Sequence, residues 1–137
     1  KGENVSTTEV ENVMTGHPTL QDAVVYGVEI PNTNGRAGMA AITPHEGHSM
    51  DELDLPGLYA LLKRELPAYA VPVFLREQKV VETTGTFKYQ KNTLKKEGFD
   101  PAQVKGDPLY VVLPGSTEYV PLTAEIYENI QQGKYRF

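Results

Sequence analysis

A glycine set among threonines and followed by spaced lysines marks Thr83-Thr84-Gly85-Thr86-Phe87-Lys88 as the first stretch with chemical potential. Lys88, Lys91 and Lys95 follow at intervals of three and four, so where the chain is helical they share one face. Gly85 has no Cβ and lets a ligand approach the main chain closely. Thr83, Thr84 and Thr86 add hydroxyl donors. Close backbone, hydroxyls and ammonium groups together suit an anionic ligand. The segment is not a P-loop, because the Gly-Lys-Ser/Thr ending is missing. A surface turn leading into a solvated basic helix has the same composition, and the residues alone leave both readings open.

Other constellations are weaker. His45-Glu46-Gly47-His48, beside Asp51 and Glu52, puts two imidazoles three residues apart on a glycine-containing loop. The zinc-protease helix requires a spacing of four, so no metal is expected here. His17, next to Pro18 at a helix end, reads as a polar cap. No serine lies in a Gly-x-Ser-x-Gly elbow. Asp51, Glu52 and Asp54 read as a solvated loop with a helix cap. Tyr26, Tyr59, Tyr69 and Phe74 fall at core-like positions and read as packing.

Elements must position these residues. Ser6 with Glu9 three residues on has capping-box spacing, and Val5 with Val10 takes the flanking staple positions. A helix over about 7–15 follows, with Val10, Val13 and Met14 on one face and Gly16 and Pro18 to end it, the glycine in a left-handed conformation. Ala23–Val28 is rich in β-branched residues and reads as a strand buried on both faces. After the turn formers of 31–35, Gly38–Thr43 reads as an antiparallel partner whose small residues invite close packing. Leu55, Leu58, Tyr59, Leu62 and Leu66 give a strong amphipathic helix, capped by Asp54 and stopped by Pro67. Val71–Arg76 reads as a third strand with Pro72 at its start or on an edge. A short basic helix over about 90–97 ends at Gly98. Tyr110–Leu113 and Glu118–Pro121 can pair as a hairpin around Pro114-Gly115, and Thr123 can cap a last helix reaching Gln131.

The expected fold is therefore α+β: a small three-stranded sheet backed by helices, with a C-terminal hairpin and helix extension. The 137 residues suit one ordinary domain, and 39% hydrophobic content is enough for a core. Thirteen Lys and Arg against eighteen Asp and Glu leave a net charge of −5, which argues against a general nucleic-acid coat. The absence of cysteine excludes a disulfide framework, a thiolate metal site and a cysteine nucleophile. No apolar run reaches the roughly 20 residues that span a bilayer. The opening Lys1-Gly2-Glu3-Asn4-Val5 has no methionine and almost no lead-in, which suggests a C-terminal fragment of a longer chain.

Several segments carry a resemblance. Lys1 to Glu11, with Gly2-Glu3-Asn4-Val5-Ser6-Thr7-Thr8-Glu9-Val10, resembles the loop and helix that open the C-terminal domain of acyl-adenylate-forming enzymes. In detail it is similar to the fatty acid transport protein and very-long-chain acyl-CoA synthetase branch. Val25-Tyr26-Gly27-Val28, Gly35 to Ala40, Glu65-Leu66-Pro67, Thr84 to Lys88 and Lys95 to Pro101 fit the same branch. So do Asp107-Pro108-Leu109-Tyr110 and Tyr119-Val120-Pro121-Leu122. The resemblance covers essentially the whole chain.

The resemblance implies a division of labour. Residues 1–100 would form the mobile lid domain, and residues 101–137 a branch-specific extension packed on it. The family's reaction runs in two steps: a fatty acid carboxylate attacks ATP to give acyl-adenylate and pyrophosphate, and the CoA thiol then displaces AMP. Lys88 matches the lysine that the lid brings to the acyl carboxylate and α-phosphate. Gly85 and Thr86 adjoin it. Gly2 matches a glycine of the loop lining the pantetheine passage after the lid turns, with Glu3 and Asn4 placed to line it too. Lys91 and Lys95 would meet the nucleotide end of CoA or simply face water. ATP and CoA are then co-substrates, and Mg²⁺ belongs mainly to a partner N-terminal adenylation domain, with no cofactor expected in the fragment. The implied location is the cytoplasm or the cytoplasmic face of a membrane, with peripheral membrane association of the parent compatible with it. Phe87 stands where many relatives have glycine, in agreement with this branch. The hinge and the ATP-, acyl- and magnesium-binding motifs are not among these residues, so the fragment alone is expected to be inactive. A reading from another class is a non-catalytic α+β module holding an anionic metabolite or a partner protein.

Overall fold

Helix signals near the start of the chain are realised almost residue for residue. The computed structural model describes residues 6–17, 20–30, 36–44, 55–77, 91–104 and 107–135, with only the backbone of 36 and 91–93. Helix α1 spans Thr7–Thr15, and the Ser6 hydroxyl accepts from the Glu9 amide at 3.3 Å. Its end departs from expectation. Gly16 is right-handed, with φ −69°, and its amide and that of His17 close the helix onto Val13 and Met14 carbonyls at 3.1 and 3.0 Å. A capping amide that reaches back in this way removes the need for a left-handed residue. Val5 and Asp54 lie outside the described residues.

Strand β1 (Leu20–Glu29) runs longer than Ala23–Val28 and pairs antiparallel with β2 (Arg36–Pro44). Its side chains alternate between two cores, as a strand covered on both faces must. Helix α2 (Leu55–Glu65) buries Leu58 and Leu62, and Leu66 beyond its end. A 3₁₀ turn at Ala68–Ala70 leads to β3 (Phe74–Glu77), parallel to β2, so α2 is the crossover of a β-α-β unit. β3 begins after Pro72 rather than at Val71. The Val73 amide already bonds to Gly38 O at 2.9 Å, but Pro72 has no amide to give. The close packing expected over β2 is present: a Cβ on Gly38 would stand 3.4 Å from Pro72 Cα.

Helix α3 (Lys91–Glu97) ends at Gly98, whose φ of +55° suits glycine. β4 (Leu109–Val111) and β5 (Val120–Pro121) form the expected hairpin. The hairpin does more than pack on the domain. β4 pairs antiparallel with β3, so the three expected strands continue into one five-stranded mixed sheet in the order β1-β2-β3-β4-β5. Helix α4 (Ala124–Gln131) is capped by the Thr123 hydroxyl, which accepts from the Ile126 amide at 3.2 Å.

Two apolar layers result. One holds Val10 and Met14 of α1 and Leu58 and Leu62 of α2 against Ala40, Ile42 and Leu75. The other holds Leu94, Phe99 and Ile130 against Tyr26, Met39, Phe74 and Val111. Of the four aromatics read as packing, Tyr26 and Phe74 are buried and Tyr59 is half-buried, whereas Tyr69 is 53% exposed. Tyr69 sits in the 3₁₀ turn after α2, where the helical stripe that made it look internal has already ended.

Candidate functional site

Lys88, Gly85 and Thr86 lie outside the described residues, as do Gly2, Glu3 and Asn4. So do His45 and His48. Lys91 is the first residue of α3, described in its backbone alone. The elements from which the lysine segment departs, and to which it returns, are among the described residues. The chain leaves β3 at Glu77 and re-enters at Lys91.

That frame is held by apolar contact and by charge. Leu94 and Phe99 anchor the α3 region, 4% and 5% exposed. The Phe99 ring stacks on Phe74 at 4.1 Å and meets Tyr127 edge-on at 5.6 Å. Arg76 projects to the same face of β3 as Phe74, as the two-residue strand period requires. Its Nη1 donates to Glu97 Oε1 at 2.6 Å and its Nε to Asp107 Oδ2 at 2.8 Å. Burial works against this charge, but the bonds and attraction of Glu97 and Asp107 outweigh it and hold the guanidinium above its ordinary value. The Tyr26 hydroxyl is buried in the same layer with no hydrogen-bond partner among the described residues. Burial pushes its ionisation far up, with Arg76 opposing and Glu97 adding to the shift.

A cleft of about 700 Å³ runs between the end of β1, α3 and α4, lined among others by Gly27, Glu29, Lys95, Lys96, Glu97 and Tyr127. Lys95 and Lys96 are exposed on its rim. Asp100 adds a third carboxylate to Glu29 and Glu97, so the lysines there do not make a dedicated anion site. The Tyr127 phenol has its ionisation raised by burial and by the nearby Asp100 carboxylate. Among the described residues no group of three or more His, Asp or Glu could hold a metal ion. Among them, too, no helix is long and apolar enough to cross a membrane.

Sequence reasoning missed Arg76, Glu97 and Asp107. The available signal was an arginine at an inward position of β3, two residues after Phe74, where a charge needs buried partners.

The family model for the AMP-binding enzyme C-terminal domain matches residues 9–88, more than half of the chain. The chain belongs to this family. The matched stretch begins inside α1 at Glu9, takes in β1, β2, α2 and β3, and reaches Lys88. Over 130 residues the chain is 48% identical to long-chain fatty acid transport protein 6 of Mus musculus, covering 95% of this chain and 20% of that protein. Over 136 residues it is 46% identical to long-chain fatty acid transport protein 3 of Homo sapiens, covering 99% and 19%. The chain therefore spans about a fifth of the length of the curated relatives it matches. The solved structure of coronafacic acid ligase from Pectobacterium brasiliense has the same fold, with a TM-score of 0.63 and 21% identity over 82% of this chain and 20% of that one. Both curated relatives match well past residue 100, so the AMP-binding enzyme C-terminal domain and the hairpin and helix after it recur together in them.

Proposed function

We propose that this chain is the mobile C-terminal domain of a long- or very-long-chain fatty acyl-CoA synthetase, in which Lys88 serves the adenylation step. The observation that carries the reading is the similarity, at 46–48% identity over nearly all of this chain, to about a fifth of long-chain fatty acid transport proteins. Residues 1–100 act as the lid, and residues 101–137 are the branch-specific extension packed on it. The partner is an N-terminal adenylation domain of the same chain, and the substrate is a fatty acid. ATP and CoA are co-substrates. Mg²⁺, where the parent uses it, is assigned to the N-terminal domain. The reaction sits in the cytoplasm or at the cytoplasmic face of a membrane, with peripheral association of the parent.

The chemistry asks for a movable cation. As the carboxylate attacks the α-phosphate, negative charge builds on the oxygens around phosphorus. A fixed ammonium group stabilises that charge more in the transition state than in the ground state. Lysine supplies a compact charge on a flexible stem, which can be brought in for the first step and withdrawn for the second. Gly85 and Thr86 allow close approach beside it. Gly2, with Glu3 and Asn4, lines the pantetheine passage in the second step, where a Cβ at position 2 would narrow it. Lys91, three residues further along the chain, is assigned to the side of the CoA nucleotide.

The test is Lys88→Ala in the full-length enzyme. Acyl-adenylate formation should fall by about 10²–10³-fold, while thioester formation from supplied acyl-adenylate persists. Normal adenylation in this variant refutes the role of Lys88.

A further inference from the structure

β1 is the first strand of the sheet and, among the described residues, pairs with β2 alone. Its ten residues, Leu20–Glu29, therefore present a long open edge. The middle of that edge, Ala23-Val24-Val25-Tyr26-Gly27-Val28, has no charge and no proline and is rich in β-branched and aromatic side chains. Such a segment on an edge is a template for pairing with a copy of itself. It is also self-complementary. Antiparallel pairing about a twofold axis at Val25 sets Ala23 against the copy's Gly27, Asp22 against its Val28 and Gln21 against its Glu29, so no two charges stand directly opposite.

This edge is capped. The Val25 amide points away from β2 and donates to Glu11 Oε2 of α1 at 2.8 Å. In an antiparallel ladder residues two apart share that orientation, so Ala23 and Gly27 also face outward. The Ala23 amide donates to Asp22 Oδ1 at 2.8 Å. Gly27 lines the cleft that Lys95 and Lys96 of α3 also line. A register shift between Leu20 and Asp22 interrupts the ladder at its start. Asp22 caps its immediate neighbour. Glu11, fourteen residues before Val25, reaches from a helix to the centre of the edge.

We infer that Glu11 guards the β1 edge: its carboxylate occupies the central amide of a self-pairing strand and keeps a second copy of this chain from adding there. The simpler role, tying α1 to β1, needs the same hydrogen bond. The two roles part where the bond is lost but the edge stays charged. A lysine beside an edge strand opposes pairing by its own charge, yet it cannot accept from an amide.

Three variants of the full-length protein make the test, read by sedimentation velocity over a concentration series and by hydrogen exchange of residues 20–29. Glu11→Gln keeps an acceptor and should sediment as the unmutated protein does. Glu11→Ala uncovers the Val25 amide. Self-association should then tighten by about tenfold or more, since an amide left without a partner regains one in each copy. Exchange across 20–29 should slow as concentration rises. Glu11→Lys should keep the unmutated mass and show no such slowing. A Glu11→Ala protein that stays folded and associates no more than the unmutated one overturns the inference. Equal association of the alanine and lysine variants overturns it too, as does loss of folding in both by circular dichroism, since the tie to α1 is then what matters. Association of Glu11→Ala without slowed exchange in 20–29 puts the contact elsewhere and is equally fatal to it.

Discussion

The two faces of the central sheet share their strands and differ in what the helices bring to them. On the face covered by α1 and α2, packing is almost wholly aliphatic, with Val10, Met14, Leu58 and Leu62 against Ala40, Ile42 and Leu75. Its buried Tyr119 hydroxyl is satisfied, donating to Pro72 O at 2.6 Å. The face covered by α3 and α4 has its own core in Leu94, Phe99, Ile130 and Phe74, but it also carries Arg76 with two carboxylates, and Tyr26, whose hydroxyl has no partner among the described residues. Burying ions costs desolvation that apolar packing of the same volume avoids. The first face follows a rule of maximal burial. The second gives up part of that stabilisation to an ion network that joins β3, the end of α3 and the loop before β4.

The largest expected effect comes from cutting one buried side chain on each face. Leu62 and Phe74 are both 0% exposed. Leu62→Ala should destabilise by about 2–5 kcal/mol, and Phe74→Ala by about 3–5 kcal/mol. Phe74→Ala should be the more damaging, because it also removes the ring on which Phe99 stacks at 4.1 Å. Urea denaturation of both variants measures the difference. A smaller loss for Phe74→Ala would mean that the second face repacks freely and that its geometry is not tightly specified.

Where the information was local, the sequence could be read. The Ser6 and Thr123 caps, the α2 stripe and the left-handed Gly98 each depend on neighbours within a few residues. Joining the hairpin to β3 depends on strand pairing across the chain. β5 is only Val120–Pro121, too short to announce its place in a sheet. Arg76 finds its partners 21 and 31 residues away, a pairing no local pattern encodes. Lys88 was visible as a lysine after a glycine and threonines, but its spacing fitted a solvated surface equally well. Only the resemblance to adenylate-forming enzymes gave it a role.

Alkaline titration should distinguish the chain from one with exposed tyrosines. Burial holds both the Tyr26 and the Tyr119 phenol protonated in the folded chain, far above the ordinary tyrosine value near 10. Above about pH 10 the unfolded chain has lost these protons and the folded chain has not. Unfolding then releases protons, and stability falls as pH rises. Each phenol contributes at most about 1.4 kcal/mol per pH unit above 10, so the chain should lose roughly 2–3 kcal/mol between pH 10 and 11. Urea midpoints across pH 8–11 would record it. A flat profile would mean that both hydroxyls reach water.

Tyr119→Phe and Tyr26→Phe reduce the contrast between the faces to one oxygen atom each. Tyr119 gives its proton to a buried carbonyl, so its loss strands Pro72 O without that donor and should cost about 1–2 kcal/mol. The ring itself stays, and with it the edge-on contact to Tyr59 at 5.7 Å. Tyr26 donates to nothing among the described residues, so its hydroxyl is desolvated without compensation. Tyr26→Phe should therefore leave stability within about 0.5 kcal/mol or raise it slightly. If instead it costs more than about 1 kcal/mol, the hydroxyl must be contributing to the Arg76–Glu97 network. The second face would then be a more fully satisfied polar assembly than the Arg76 contacts alone suggest.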